Sequence, residues 1–331
     1  MNNTNDTDYE FYENYVKTYE KYVTIYYVFY KVYIWVLVGV GVPGNVACIL
    51  VTTSMTLTTA TLYMSLLAVA DLLALVLRLI SHQIGVYKVP LNTFVCKMDV
   101  FVQLVSNYAN WTLVLVCCER FLSIRFPLKK KIYFTKKRAI LIAVLLGMIL
   151  CLCYLYAFIQ RDHREKRYCV YSQSFYDVVE TYWYWITAFI YIFLPFILLL
   201  IFPCLIIASL RRQRKAREAM VRTTPDKSGE TTQTRVEVAI SVMVVWDAIV
   251  VFVTYAPICI LEIYKPFDIV NLDTVRSTFS MAMSRHIAIA LSEANYAVDF
   301  VIYFSASKKF RSRFKKLIRK CLTYRCRRDQ E

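Results

Sequence analysis

The residues of this chain that can do chemistry are ionisable groups set inside long apolar runs: Asp71, Arg78, His82, Glu119, Arg120, Asp247, Glu293 and Asp299. A charge at the centre of a bilayer costs at least ~2.5 kcal/mol, so such groups face a protein interior or water and mark ligand routes, ion routes or switches. Glu119 and Arg120 are neighbours where the apolar run from Val114 gives way to Lys129-Lys130-Lys131, and there they can partly neutralise each other and hold a latch. Asp71 stands about half-way through its run. Arg78 and His82, one turn apart, share a helix face. Arg78 either pairs with an acid such as Glu293 or touches a ligand directly, and the sequence leaves both open. Asp247 lies deep in its run and receives no assignment. Catalysis finds no support: the three histidines are His82, His163 and His286, and no HExxH, G-x-S-x-G or P-loop pattern supplies a metal site or a nucleophile. Gly39-Val40-Gly41-Val42-Pro43-Gly44 fits the dinucleotide pattern G-x-G-x-x-G, but no βαβ unit surrounds it, and small residues in a span let helices approach closely.

The elements that must hold these groups are membrane helices. With 58% hydrophobic residues, a mean hydropathy of +0.44 and six glycines, the 331-residue chain is too apolar for a soluble globular protein and lacks the turns of an all-β one. Apolar runs of spanning length, about 20 residues each, occur near 27–53, 61–86, 95–119, 139–159, 183–210, 237–262 and 285–304. The expected fold is an all-α membrane protein: a tail (1–26), a seven-transmembrane helix bundle (27–304), and a short amphipathic eighth helix with a basic tail (305–331). Residues 120–138, 211–236 and 305–331 together hold 27 of the 40 Lys and Arg residues and 5 of the 24 acids. The positive-inside rule puts these stretches in the cytoplasm and residues 1–26 outside, in a multi-pass protein of the plasma membrane. The segment Ser54 to Ala60 carries no charge and casts no vote. Because the +16 formal net charge sits on inner loops, it implies membrane lipids as partners and no nucleic acid.

The first 22 residues are polar, acidic and tyrosine-rich, so no cleavable signal peptide is visible and the first span directs insertion. Residues 1–26, with a net charge of −3, read as a solvated disordered tail, or as a surface that weakly steers a cationic ligand. The sequons Asn2-Asn3-Thr4 and Asn5-Asp6-Thr7 make Asn2 and Asn5 glycosylation candidates. Of eleven cysteines, Cys96 and Cys169 are the two that this topology places outside, and an even count on the oxidising side suggests one disulfide. Cys321 and Cys326 are palmitoylation candidates, and the others look like core residues. After Ser305, Phe310, Phe314, Leu317 and Ile318 fall on one helical face with cations elsewhere, the pattern of an interfacial helix on an anionic inner leaflet.

Glu119-Arg120-Phe121, followed by Pro127-Leu128, resembles the Asp-Arg-Tyr signature and Pro-Leu loop of rhodopsin-like (class A) G-protein-coupled receptors. Other motifs match that family in the same order. These are Gly44-Asn45 in the first span, Leu67 to Asp71 in the second, Pro195 in the fifth, Pro257 in the sixth, Asn295 to Tyr303 in the seventh, and the Phe310-Arg311 start of the eighth helix. The resemblance implies a disulfide between Cys96 and Cys169, and a sodium and water pocket at Asp71, to which Asn295 and Asp299 add oxygens. Two facing carboxylates without a cation would share a proton, and a plain hydrogen-bond cluster is the simpler reading. It also implies a switch made of Glu119, Arg120 and Tyr303. Glu237, twenty residues before Pro257, stands where some relatives pair an acid with Arg120, so an Arg120–Glu237 bridge is expected; the alternative is that Glu237 only caps its helix.

The departures are as informative. Cys96 to Arg120 is one residue shorter than usual, which predicts an irregular outer turn. The fourth span lacks the family's tryptophan, and Pro203 replaces a tyrosine in the fifth. Tyr255 replaces the tryptophan of the sixth span and would have to serve as its switch. Asp299 and Phe300 replace the asparagine and proline of the seventh. Phenylalanine there is familiar among invertebrate neuropeptide receptors related to those for FMRFamide-like peptides.

The resemblance implies a receptor that binds an extracellular ligand and activates a heterotrimeric G protein, with arrestin and a receptor kinase as further partners. The outer half offers Arg78, His82, Asp99, Gln103, Glu262, Arg285, His286 and Glu293 as ligand-binding residues; both signs of charge suit a peptide better than a lipid or a monoamine. The competing readings are a receptor-like protein with weak or no coupling, suggested by Tyr255 and Pro203, and an ion transporter or channel using Asp71, Asp247, Glu293 and Asp299. No internal repeat supports the transporter.

Overall fold

The computed structural model describes residues 3–90, 92–164, 168–171, 182, 184–223, 232–264 and 275–328; Asn2 and the side chains of Asn5, Glu237, Cys321 and Cys326 lie outside that description. In hydrocarbon every backbone N–H and C=O must find a partner within its own segment, so the apolar runs coil. The elements are α1 (Asn3–Thr53), α2 (Thr59–Val86), α3 (Thr93–Arg125), α4 (Pro127–Tyr133), α5 (Lys136–Gln160), β1 (Arg161–Arg164) and β2 (Tyr168–Tyr171). They continue with α6 (Tyr184–Ala188), a π-helical turn (Phe189–Phe193), α7 (Leu194–Thr223), α8 (Thr232–Tyr264), α9 (Val275–Ala306) and α10 (Lys308–Arg328). Among the described residues, seven stretches are long and apolar enough to cross a membrane: Glu20–Thr53, Thr59–Val86, Thr93–Arg125, Lys136–Gln160, Trp185–Ala216, Ser241–Ile263 and Met283–Ala306. The fold is the expected seven-helix bundle. Its outer surface leaves Trp35, Leu152, Trp246 and Val253 exposed, an apolar belt suited to contact with lipid.

Local chemistry sets the helix ends. Thr58 caps α2 in a reciprocal box with Thr61, and Asn92 Oδ1 accepts the Val95 amide at 2.9 Å to start α3. α2 closes with Val89 N–H donating to Ile84 O and Lys88 N–H to Gly85 O, which puts Lys88 at φ 49°, a left-handed position usually held by glycine. The π turn lies directly ahead of Pro195, whose missing N–H disturbs the regular ladder. A side-chain carbon on Gly41 would overlap Leu75 and lie 2.9 Å from Ala297 Cβ, so this glycine lets α1 close on α2 and α9. α3 runs through the middle, packing on α2, α4, α5, α7, α8 and β1.

Two expectations need correction. α1 begins at Asn3, so the segment expected as a disordered tail is helical; extending an existing helix costs far less than nucleating one. α3 is regular from Thr93, with Cys96 N–H bonded to Asn92 O, so the short Cys96–Arg120 interval produces no irregular turn. Within the loop expected after α5, β1 and β2 pair antiparallel, His163 opposite Cys169.

Candidate functional site

The polar groups fall into three layers along the bundle. At one end Cys96 and Cys169 form the disulfide, which ties β2 to α3 with the Cα atoms 5.5 Å apart. Asp99 accepts from Arg161 Nη2 at 3.3 Å beside a groove of about 420 Å³ lined by Ser81, Lys88, Met98 and Cys169. Arg285 Nη2 lies 3.3 Å from Glu262 Oε1, and Gln103 is exposed on α3. Arg78 Nη1 lies 3.2 Å from Glu293 Oε1, so the pairing left open by the sequence is made.

Three tyrosines of α1 wall this pair, and the sequence reading missed them. Tyr33 faces the Glu293 carboxylate. His82 Nε2 meets the Tyr30 carbonyl at 2.6 Å, and its ring lies 4.3 Å from that of Tyr30. Tyr26 Oη is 2.9 Å from His286 Nε2. Their spacing, 26, 30 and 33, is one stripe of a helix and was the available signal. Thus Arg78, His82, His286 and Glu293 form one cluster with α1, whereas Asp99–Arg161 and Glu262–Arg285 are separate pairs. Neither Arg78 Nε nor Glu293 Oε2 has a hydrogen-bond partner among the described residues.

The middle layer is a buried polar chain. Asn110 Nδ2 donates to Tyr255 Oη at 2.6 Å, and Tyr255 meets Tyr296, so the ring that replaces the family's tryptophan is held by hydrogen bonds rather than by packing alone. Deeper, the Asp299 carboxyl lies within hydrogen-bonding reach of both Asp71 and Asp247. All three are buried, at 3%, 1% and 0% exposure. Of the expected trio of Asp71, Asn295 and Asp299, the structure joins Asp71 and Asp299, and it adds Asp247, which the sequence left unassigned. Tyr303 Oη donates to Asp247 Oδ2 at 3.2 Å. Among the described residues Asp71 Oδ1 and Asn295 Oδ1 are buried with no hydrogen-bond partner, and both are hard oxygens of the kind a sodium ion would use. Among the described residues no three His, Cys, Asp or Glu side chains are arranged to hold a metal ion.

At the other end Glu119 is fully buried and binds its neighbour: Arg120 Nε donates to Glu119 Oε2 at 2.6 Å, and Arg120 Nη2 also meets that oxygen. The carboxylate further takes Thr59 Oγ1 at 2.6 Å, Lys130 Nζ at 2.9 Å and Ser123 Oγ at 3.2 Å, all on Oε1. The partner described for Arg120 is therefore Glu119, across one peptide bond; the side chain of Glu237 lies outside the described residues. α10 caps α9, with Arg311 Nη1 donating to Phe304 O and Ser305 O at 2.8 and 2.6 Å. Phe310, Phe314 and Leu317 pack on the bundle core, which corrects the expectation that this whole face enters lipid; Ile318 stays exposed.

A bundle with a charged aromatic cluster at one end, a sealed acid-base pair at the other and a buried polar chain between them is built to carry a signal across a membrane. Residues 44–303 match the profile of the 7 transmembrane receptor (rhodopsin family), and the chain belongs to that family. No curated protein matches the chain. It is a G-protein-coupled receptor, a multi-pass membrane protein with an extracellular ligand and a G protein as partners, and not an enzyme. Membership sets aside the transporter reading of the buried acids.

Proposed function

We propose that this receptor sits in the plasma membrane with its disulfide end outside and responds to a small neuropeptide. The carrying observation is the Arg78–Glu293 pair. It is close to neutral as a unit, yet among the described residues neither Arg78 Nε nor Glu293 Oε2 has a hydrogen-bond partner, while the Tyr33 hydroxyl faces the same carboxylate. A carboxamide, with an N–H donor and a C=O acceptor, complements both. A carboxylate offers no donor, and an ammonium no acceptor. Tyr26, Tyr30, Tyr33, His82 and His286 supply aromatic walls of the kind peptide side chains bind. A monoamine is disfavoured because Phe101 and Val102, near the position where amine receptors hold their aspartate, carry no charge. Sequons at Asn2 and Asn5 suit glycosylation outside, and Cys321 and Cys326 suit palmitoylation on the other side.

The test applies a library of amidated neuropeptides to cells expressing the receptor while G-protein dissociation is recorded, with Arg120→Ala as the control. An amidated peptide is expected to activate, and its free acid to be at least ~10-fold weaker, because a site built around paired polar groups rejects an analogue that leaves them unmet. Glu293→Gln and Arg78→Ala are expected to lose potency at unchanged surface expression. Equal potency of amide and acid, or of variant and wild type, removes this pair from the ligand site.

A further inference from the structure

The Arg120 latch has a feature that a simple acid-base pair lacks: its carboxylate has two cations. Arg120 occupies Glu119 Oε2, while Lys130 Nζ takes Oε1 at 2.9 Å. Lys130 sits on the short helix α4, and its amide donates to Phe126 O at 2.9 Å, so its attachment does not depend on Arg120. Lys129 next to it turns away and lies over the Phe126 ring at 5.7 Å. Thr59 of α2 and Ser123 of α3 hold the same oxygen as Lys130.

In a one-cation latch, the departure of arginine strands a buried carboxylate, which is strongly unfavourable. Here Glu119, with no exposed surface, keeps a counter-ion and two hydroxyl donors when Arg120 leaves. Lys130 also repels the guanidinium that shares its partner. Both effects have the same sign. We propose that Lys130 is a positioning residue for G-protein coupling: a second counter-ion that holds Glu119 in place and lowers the cost of releasing Arg120 into the G-protein cleft. The opposite assignment, a second arm of the latch, would require Lys130 to touch Arg120's partner only in the resting state, whereas Lys130 is held by Glu119 of α3 and by the Phe126 carbonyl at the α3–α4 junction, and neither contact involves Arg120.

The experiment measures binding of nucleotide-free heterotrimeric G protein to the purified full-length receptor without any ligand, across the Gα classes. Mass action then draws the receptor to its coupled state whatever its basal activity. Lys130→Met, which keeps the stem and removes the charge, is expected to weaken binding about 10-fold, within the usual range of coupling between sites. Lys130→Arg is expected to restore it. In a Glu119→Gln background Lys130→Met should change nothing, because there is no carboxylate left to neutralise. Tighter binding by Lys130→Met would make it a latch, an unchanged Kd would make it a bystander, and an equal loss in the Glu119→Gln background would make it a direct G-protein contact. Each of these overturns the proposal, and a thermal unfolding midpoint for each variant separates weak binding from poor folding.

Discussion

Asp247 has no exposed surface and stands among apolar core residues such as Val244, Ala248 and Val251, where only its partners make a carboxyl tolerable. Its Oδ2 accepts from Tyr303 Oη at 3.2 Å, a bond from α8 to α9 that must break if the inner half of α8 swings outward. An intramolecular hydrogen bond contributes about 0.5–1.5 kcal/mol net. Removing it by Asp247→Leu or Tyr303→Phe is therefore expected to raise basal G-protein dissociation severalfold, up to roughly 10-fold, since each ~1.4 kcal/mol is a factor of ten in population. Asp247→Asn, which keeps an acceptor, should stay near wild type. If Tyr303→Phe leaves basal signalling unchanged, this bond does not restrain the resting state. Asp247 could be flagged from the sequence as a charge out of place, but not assigned. Its partners come from α9, 52 and 56 positions away along the chain, and no local periodicity reports such a meeting. The pairing of Arg78 with Glu293 could at least be named as one of two open readings, because an intramembrane cation needs an anion and few were available.

Among the elements, α10 shows how a departure from the family is compensated. Phe300, in place of the usual proline, keeps α9 helical, and its ring lies 5.6 Å from Phe304, 6.0 Å from Phe310 and 5.2 Å from Phe314. The residue that replaces a kink is thus the dock for the terminal helix. Truncating a fully buried phenylalanine to alanine costs about 3–5 kcal/mol, and Phe300 is half-buried, so Phe300→Ala should cost roughly 2 kcal/mol. Amide hydrogen exchange over residues 308–320 is expected to accelerate in that variant and much less in Phe300→Leu. Unchanged exchange would mean that lipid alone holds α10. The spans were legible because length and hydropathy are properties of a segment by itself. The α1 extension and the β1–β2 hairpin were not, because one depends on a helix already nucleated elsewhere and the other on a disulfide partner in α3.

At the scale of the whole molecule, two independent asymmetries bear on which end faces the cell exterior. The tyrosines of α1 meet His82 and His286 near the end that carries the Cys96–Cys169 disulfide, so the start of the chain and the disulfide share one side. Disulfides persist where the medium is oxidising. At the opposite end Arg125, Lys129, Lys136, Lys137, Arg211, Lys308 and Lys315 are exposed, and cations near span ends stay with the cytoplasm. Redox chemistry and insertion electrostatics are unrelated forces, and both support the proposed orientation with the disulfide end outside. A tag placed before Met1 is therefore expected to bind antibody on intact cells, and one placed after Glu331 only after permeabilisation. Glycosidase treatment should shift the mass of the wild type but not of the double variant Asn2→Gln, Asn5→Gln. If the tags were reversed, the Arg78–Glu293 cluster would face the cytoplasm, where no secreted peptide could reach it. The neuropeptide reading would then fall, even though the bundle and its latch would stand.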